Sequence, residues 1–570
     1  MIEAGQEREQ ACTLREDQAV VGRQMPNRLL RLLSHRLALP LLLLALLLYY
    51  LPGIRPALAT SHDDGTYVVT ARALAEGHAY RIESLPGAPL QTKYPPLYPE
   101  LLAVLWKLSP QFPANLLLFH LATIGLWLAA LALTYRLLVR FGYASPPVAW
   151  LVVALWGLAF NSARYTSALR SEPLFTLLMV GSLWYAERTL EARPDRSALR
   201  FAALSGLLAG LAFLTRTTGI ALLVGLLYAL FRPQRRVLPA LCAGALPCVA
   251  GWTLWSRLHP RLAPWDLRTY YLDYAAWTAR QLAQIPLPTV VMANLTKLAT
   301  SALPGPAIHL LNQVTVGQWA QSRLAIVIWL LGLATTGLII WGGLALWRAG
   351  RPLLPCVVLL TALPLCLYPF DVERFLVPIG GLSVLLLVEG WRRLQRALGR
   401  GALALSVLTG LILLLGLTRD LRYLRDTLRP SYDPQEAAIA WTRAHVAPGE
   451  AVYSLIDPWI YLYTGRQGIS DHAWIGLEGS GLAVHWKYRA DYCPAADRQR
   501  EQLRQMNVRW ILDMGDLQEP REYPPPGILA THPQWFDLVY SAGSGRLHVY
   551  RLHDAGSLTP NLPSPRIGDR

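Results

Sequence analysis

The sequence predicts a polytopic α-helical membrane protein with a small C-terminal α/β domain of soluble character. Three observations predict it. Apolar segments of about 20 residues, long enough to cross a hydrocarbon core about 30 Å thick, recur through the first three quarters of the chain. Arginines gather in every second connection between those segments, and after residue 418 the composition becomes that of a soluble domain. Of the 570 residues 53% are apolar and only 16% charged, outside the usual range of a soluble globular protein.

The elements follow in order. Residues 1–36 are polar and carry Arg8, Arg15, Arg23, Arg28, Arg31 and Arg36, which reads as a cytoplasmic tail. The first span covers 37–58. Ala57-Leu58-Ala59 resembles a signal-peptidase site, but the long basic region before it favours an uncleaved anchor. Further spans are expected at 114–136, 146–162, 173–187, 198–214, 217–231, 237–257, 323–347, 353–369, 375–390 and 401–418, about eleven in all. With the N-terminus inside, the cytoplasmic turns hold Arg136 and Arg140, then Arg188, Arg193, Arg196 and Arg200, then Arg232, Arg235 and Arg236, then Arg348 and Arg351, then Arg392, Arg393, Arg396 and Arg400. Each turn obeys the positive-inside rule. The arginines behind the formal charge of +16 therefore set topology, and no nucleic-acid partner is expected.

Residues 37–418 form the transmembrane domain, with long external loops at 59–113 and 258–322. In the first loop, 67–77 (YVVTARALAEG) and Leu97–Leu108 read as amphipathic helices suited to the interface plane, Gly77 serving as a helix C-cap. Residues 419–570 form the exported domain: a helix over 434–446, then AVYSL, VRWILDM, FDLVYSA and RLHVYRL as strands. Only Cys493 of the six cysteines falls there, so a disulfide framework is excluded. No cysteine–histidine spacing suits structural zinc.

Candidate chemistry sits at the external ends of the apolar segments. Asp63 and Asp64 in SHDDGTY lie beside the membrane boundary, where a carboxylate is costly enough to suggest a task such as general-base catalysis. The bland alternative is a solvated pair with Gly65 closing a turn. His62, Lys93, Tyr94, Arg164, Arg170, Glu172, Arg216, Asp371, Glu373 and Arg374 are expected at the same level. Taken singly, Arg216 reads as a polar turn residue and Arg374 as an interfacial, snorkelling arginine.

Those residues carry a resemblance. HDDGTYVVTARALAEGHAY followed by KYPPLYPELLAVLWKL is similar to the first external loop of GT-C glycosyltransferases, closest to the bacterial family 39 proteins related to protein O-mannosyltransferases and the lipid A aminoarabinose transferase. Asp63 takes the place of the family Asp, Tyr67 that of the Tyr, and Ala71-Arg72 with Leu74 and Gly77 the helix behind it. Asp64 stands where the family usually has Glu. Arg170-Ser171-Glu172-Pro173 resembles the second acidic motif, Leu214-Thr215-Arg216 the turn before the sixth span, and Glu373-Arg374-Phe375-Leu376-Val377-Pro378 the late Arg-Tyr-x-x-Pro element.

The resemblance implies the GT-C fold and an inverting hexosyl- or pentosyltransferase of a bacterial cytoplasmic membrane. The donor would be a sugar on polyprenyl phosphate, the acceptor a glycan, lipid or protein, and membrane lipids the surroundings. It implies Asp63 as general base, and Arg374, then Arg216, then Lys93 as binders of the leaving phosphate. Glu172 and Asp64 would orient the acceptor or hold Mg²⁺ or Mn²⁺, with His62, Tyr94 and Arg170 completing the substrate site. Two other classes compete. A transporter or flippase of lipid-linked saccharides would place ionisable groups at mid-bilayer, and a non-catalytic scaffold would tolerate loss of the carboxylates.

Overall fold

The computed structural model describes residues 31–54, 62–193, 195–259, 262, 266–312, 325–368, 372–399, 402–427, 433–470, 477–478, 487–488, 496–514, 527–542 and 547–553. The tail through residue 30, Ala57-Leu58-Ala59 and Asp371 lie outside them.

Among the described residues every apolar segment expected from the sequence forms helix, and prolines decide where several of them break. The first is Ala38–Tyr50, tightening into a 3₁₀ turn, Leu51–Gly53, at Pro52. Leu116–Arg140, Glu172–Glu191, Arg196–Thr215, Ala325–Arg348 and Ala402–Thr427 are unbroken. The segment predicted at 146–162 is two helices, Pro146–Leu158 and Phe160–Ser167, bent by 61° at Ala159. Helix Leu353–Ala362 ends in a 3₁₀ turn at Pro364. The last motif forms Glu373–Leu376, a 3₁₀ turn around Pro378, and then Gly380–Leu398.

Five helices among the described residues are long and apolar enough to cross a membrane, or six if the bent pair is one span. One of the five, Gly219–Leu258, has 40 residues, about twice a bilayer core at about 1.5 Å per residue. It divides at Gln234 (φ −143°, ψ 40°) into Gly219–Gln234 and Leu238–Leu258, joined by Arg235–Val237. A Cβ on Gly210 would stand 3.0 Å from the Ala245 carbonyl, and Gly206 abuts Leu241 in the same way. Helices Arg196–Thr215 and Leu238–Leu258 therefore run parallel, so the helix between them returns in the opposite direction.

Trp156 fixes the segment that follows Arg374. Its indole packs against Gly380 and Gly381, where a Cβ would approach within 2.6 Å and 2.5 Å of the ring, and its Nε1 donates to the Val377 carbonyl at 2.9 Å. The short helix bearing Arg374 is thereby fixed to the bent pair.

The C-terminal domain contains a five-stranded mixed sheet. Strands β1 (Ala451–Ser454), β2 (Gly468–Ile469), β5 (Val508–Asp513), β6 (Phe536–Ser541) and β7 (His548–Leu552) take the order β2-β1-β5-β7-β6; β3 (Leu477–Glu478) and β4 (Lys487–Tyr488) form a separate ribbon. β1 runs parallel to β2 and β5, and β7 antiparallel to β5 and β6. All four residues of β1 are buried, as for a strand covered on both faces. The cores on those faces continue into the segments 62–113 and 266–312: Val452 and Leu512 share one with Tyr67, Val68 and Tyr98, and Tyr453 and Ile511 share another with Ile82, Leu267 and Tyr271.

Two expectations for the first loop change. Asp63, Asp64 and Gly65 form no turn; they belong to the helix His62–Ala75. The helix is also not a surface helix with one open face, because Val68, Val69 and Ala71 are fully buried between the C-terminal domain and the helical bundle. Gly77 does end it in the left-handed conformation, φ +83°.

Candidate active site

Four chain segments bring the predicted charges together. Asp63 and Asp64 occupy the first turn of helix His62–Ala75, where the helix dipole favours carboxylates. Arg170 and Ser171 form the link into helix Glu172–Glu191, whose first residue is Glu172. Arg216 is the C-cap of helix Arg196–Thr215, extended at φ −151° and ψ 130°, which throws its side chain off the helix end. Arg374 lies in the one-turn helix Glu373–Leu376.

The side chains interlock. The Asp63 carboxylate accepts from Arg170 Nη1 at 2.8 Å, from Arg374 Nη1 at 2.5 Å and from the Tyr94 hydroxyl. Asp64 pairs with Arg170 Nε at 2.8 Å. Glu172 pairs with Arg216 Nη1 at 2.8 Å and with Arg374 Nε. Ser171 Oγ accepts from Arg216 at 3.1 Å and meets the Tyr67 hydroxyl at 3.2 Å. Arg374 thus bridges Asp63 and Glu172, while its Nη2 makes no hydrogen bond among the described residues. Arg216 does stand in the turn between two helices, as its bland reading has it, but both it and Arg374 are also mostly buried and ion-paired.

Three carboxylates face three arginines, and Lys93 adds a fourth cation. Its Nζ sits 3.2 Å from the ring centre of Tyr270, 4.6 Å from that of Tyr274 and 4.9 Å from that of Tyr94. Burial pushes the Lys93 ammonium down to about 7; Asp63 opposes this and Arg374 adds to it. Burial alone would raise the Asp63 carboxyl, but Arg374, Arg170, Lys93 and the Tyr94 hydroxyl together hold it well below the usual carboxylate range. Asp63 is therefore an ionised acceptor of low intrinsic basicity, and Lys93 a cation close to losing its proton.

Of the other predicted residues, His62 is engaged elsewhere, bonding Asp457 and Tyr271. Arg164 is exposed. Glu373 accepts from Asn161 at 2.9 Å and Ser301 at 2.7 Å beside a small cavity under Trp156. Sequence reasoning missed Ser171 as a contact, and it missed Tyr270 and Tyr274. The only available signal for the tyrosines was their aromatic density in the second loop, RTYYLDYAAW.

The carboxylates do not fit Mg²⁺ or Mn²⁺. Each already carries an arginine partner, and a divalent ion would have to enter beside three guanidinium groups. Among the described residues the group with metal-ligand spacing is Glu76, His78 and Glu83, away from this cluster and already ion-paired.

No protein-family model matches the chain, and no curated protein matches it by sequence. Its backbone is nonetheless similar to solved structures. The Archaeoglobus fulgidus oligosaccharyltransferase in complex with zinc and sulfate matches with a TM-score of 0.55 at 12% identity, covering 89% of this chain and 72% of that one. The oligosaccharyltransferase AglB of the same organism, in complex with an inhibitory peptide and a dolichol-phosphate, matches at 0.51 and 13%, covering 92% and 76%. ArnT from Cupriavidus metallidurans bound to undecaprenyl phosphate matches at 0.50 and 11%, covering 91% and 98%. These likenesses fix the fold as that of the GT-C glycosyltransferases.

Proposed function

We propose that this GT-C-fold chain is a membrane glycosyltransferase that moves a hexosyl or pentosyl group from a polyprenyl-phosphate donor to a hydroxyl or amine acceptor at the external face of a bacterial cytoplasmic membrane. The reading includes about eleven crossings, a cytoplasmic N-terminus and an external C-terminal domain. The observation that carries it is the convergence of Asp63, Glu172, Arg374 and Lys93 from distant segments on one buried cluster. The lipid phosphates bound to AglB and ArnT support the donor class.

Asp63 accepts the acceptor's proton as its oxygen or nitrogen attacks the anomeric carbon. The bond from that carbon to the phosphate oxygen breaks, and the phosphate leaves with the electron pair, so attack from the opposite face inverts the centre. Lys93 and the open Nη2 edge of Arg374 stabilise the leaving phosphate. When the phosphate draws on Arg374, one of the two guanidinium groups depressing Asp63 is shared, and the carboxylate becomes a better base as the donor seats. Glu172 and Asp64 act by holding Arg374, Arg216 and Arg170 in place.

The test is donor consumption by the purified protein on a panel of polyprenyl-phosphate sugars, with Asp63→Asn alongside. Unchanged turnover in that variant would sink the base assignment. No consumption across a broad panel would favour a transporter or scaffold.

A further inference from the structure

The helix His62–Ala75 presents two faces. Asp63, Asp64 and Tyr67 meet the arginine cluster, whereas His62 and Gly65, three residues apart and so on one side, meet the C-terminal domain. A Cβ on Gly65 would stand 2.7 Å from Trp459 Nε1 and 2.8 Å from Pro458 Cβ, so the glycine permits the contact. Beside it, Asp457 Oδ1 accepts from His62 Nε2 at 3.0 Å and from the Tyr271 hydroxyl at 2.9 Å, with Asp457 fully buried. The backbone N–H of Ser470 donates to the same Tyr271 hydroxyl at 2.9 Å. Tyr270, the next residue, packs edge-on to His62 and to Tyr271, and its ring is the one closest to Lys93.

We infer that Asp457 of the C-terminal domain is a positioning residue for the site: through His62 it sets the helix bearing Asp63, and through Tyr271 it sets the tyrosines that hold Lys93. The domain is then part of the reaction apparatus and more than a cover or a stabilising appendage. A carboxylate suits the task because one oxygen can take two hydrogen bonds from two different loops, tying both to a single point. The inference rests on the reading of Asp63 and Lys93 given above, although its geometry does not.

Two readouts separate those levels. In the first, the full-length protein is treated with a trace amine-acylating reagent across pH, and labelling of Lys93 is followed by peptide mass. The groups facing Lys93 are Asp63, Arg374, Tyr94, Tyr270 and Tyr274. Asp457→Asn and Tyr271→Phe, each near-isosteric, are expected to move the Lys93 midpoint upward from about 7 towards that of a free lysine, because the loosened cage admits water. An unchanged midpoint in both variants would overturn the positioning role whether or not the protein turns over a donor. In the second, on a donor that the wild type consumes, Asp457→Asn and His62→Gln are each expected to lower kcat by about 10- to 100-fold, with the double variant no worse than Asp457→Asn alone. Additive losses would overturn the shared path through His62. Lack of turnover by the wild type would instead count against the glycosyltransferase reading.

Discussion

Lys93 offers the sharpest test of the phosphate site, because its charge titrates within the working pH range. With its proton held at about 7, the ammonium is about nine-tenths protonated at pH 6 and about one-tenth at pH 8. If only the protonated form holds the donor phosphate, donor KM rises about tenfold across those two units while kcat changes little. The assay is initial-rate kinetics on a polyprenyl-phosphate sugar. This donor is a phosphodiester and keeps one charge throughout, unlike a free phosphate monoester with its second pKa near about 6. Lys93→Arg should flatten the profile, since a guanidinium stays charged, and Lys93→Met should give a high KM at every pH. Asp63 supports the Lys93 charge, so Asp63→Asn should move the KM midpoint to lower pH. A flat wild-type profile, or the same rise in Lys93→Arg, would refute the argument.

Asp63→Asn should lower kcat by roughly 10²–10⁴-fold, the usual worth of a general base, and a loss under tenfold would speak against the role. Arg374→Lys keeps the charge but cannot span Asp63 and Glu172 in one fork; kcat/KM should fall by about 10- to 100-fold, as for loss of one charged hydrogen bond, and steady-state kinetics would expose an unchanged value. Gly65→Ala forces the helix away from Trp459 and should cost about 1–3 kcal/mol, read as a lower apparent Tm and easier proteolytic release of the C-terminal domain. Chelation with EDTA should leave turnover unchanged because arginines already neutralise the carboxylates; inhibition reversed by Mg²⁺ would contradict the arginine-only site.

What the sequence makes legible follows from the range of each physical signal. Apolar length and arginine placement act locally, so the helices appear close to where their segments predict them, Leu116–Arg140 against 114–136 for example. The break at Ala159 was hidden because 146–162 is apolar as far as Phe160, past the bend, and no proline marks it. Charges at segment ends revealed Asp63, Glu172, Arg216 and Arg374 as candidates, but nothing local says that Arg374 bridges two acids, one of them 311 residues away. Asp457 and His62 are 395 residues apart, beyond any spacing argument. Gly65 shows how the missing information changes a reading. Beside two aspartates, and with only its neighbours known, a glycine is most simply a turn residue. With Trp459 pressed against its Cα, the same glycine is helical and marks where the C-terminal domain grips the helix that carries Asp63. The functional weight of the Asp-Asp-Gly string is therefore divided: the carboxylates serve the arginine cluster, and the glycine serves the contact that holds them there.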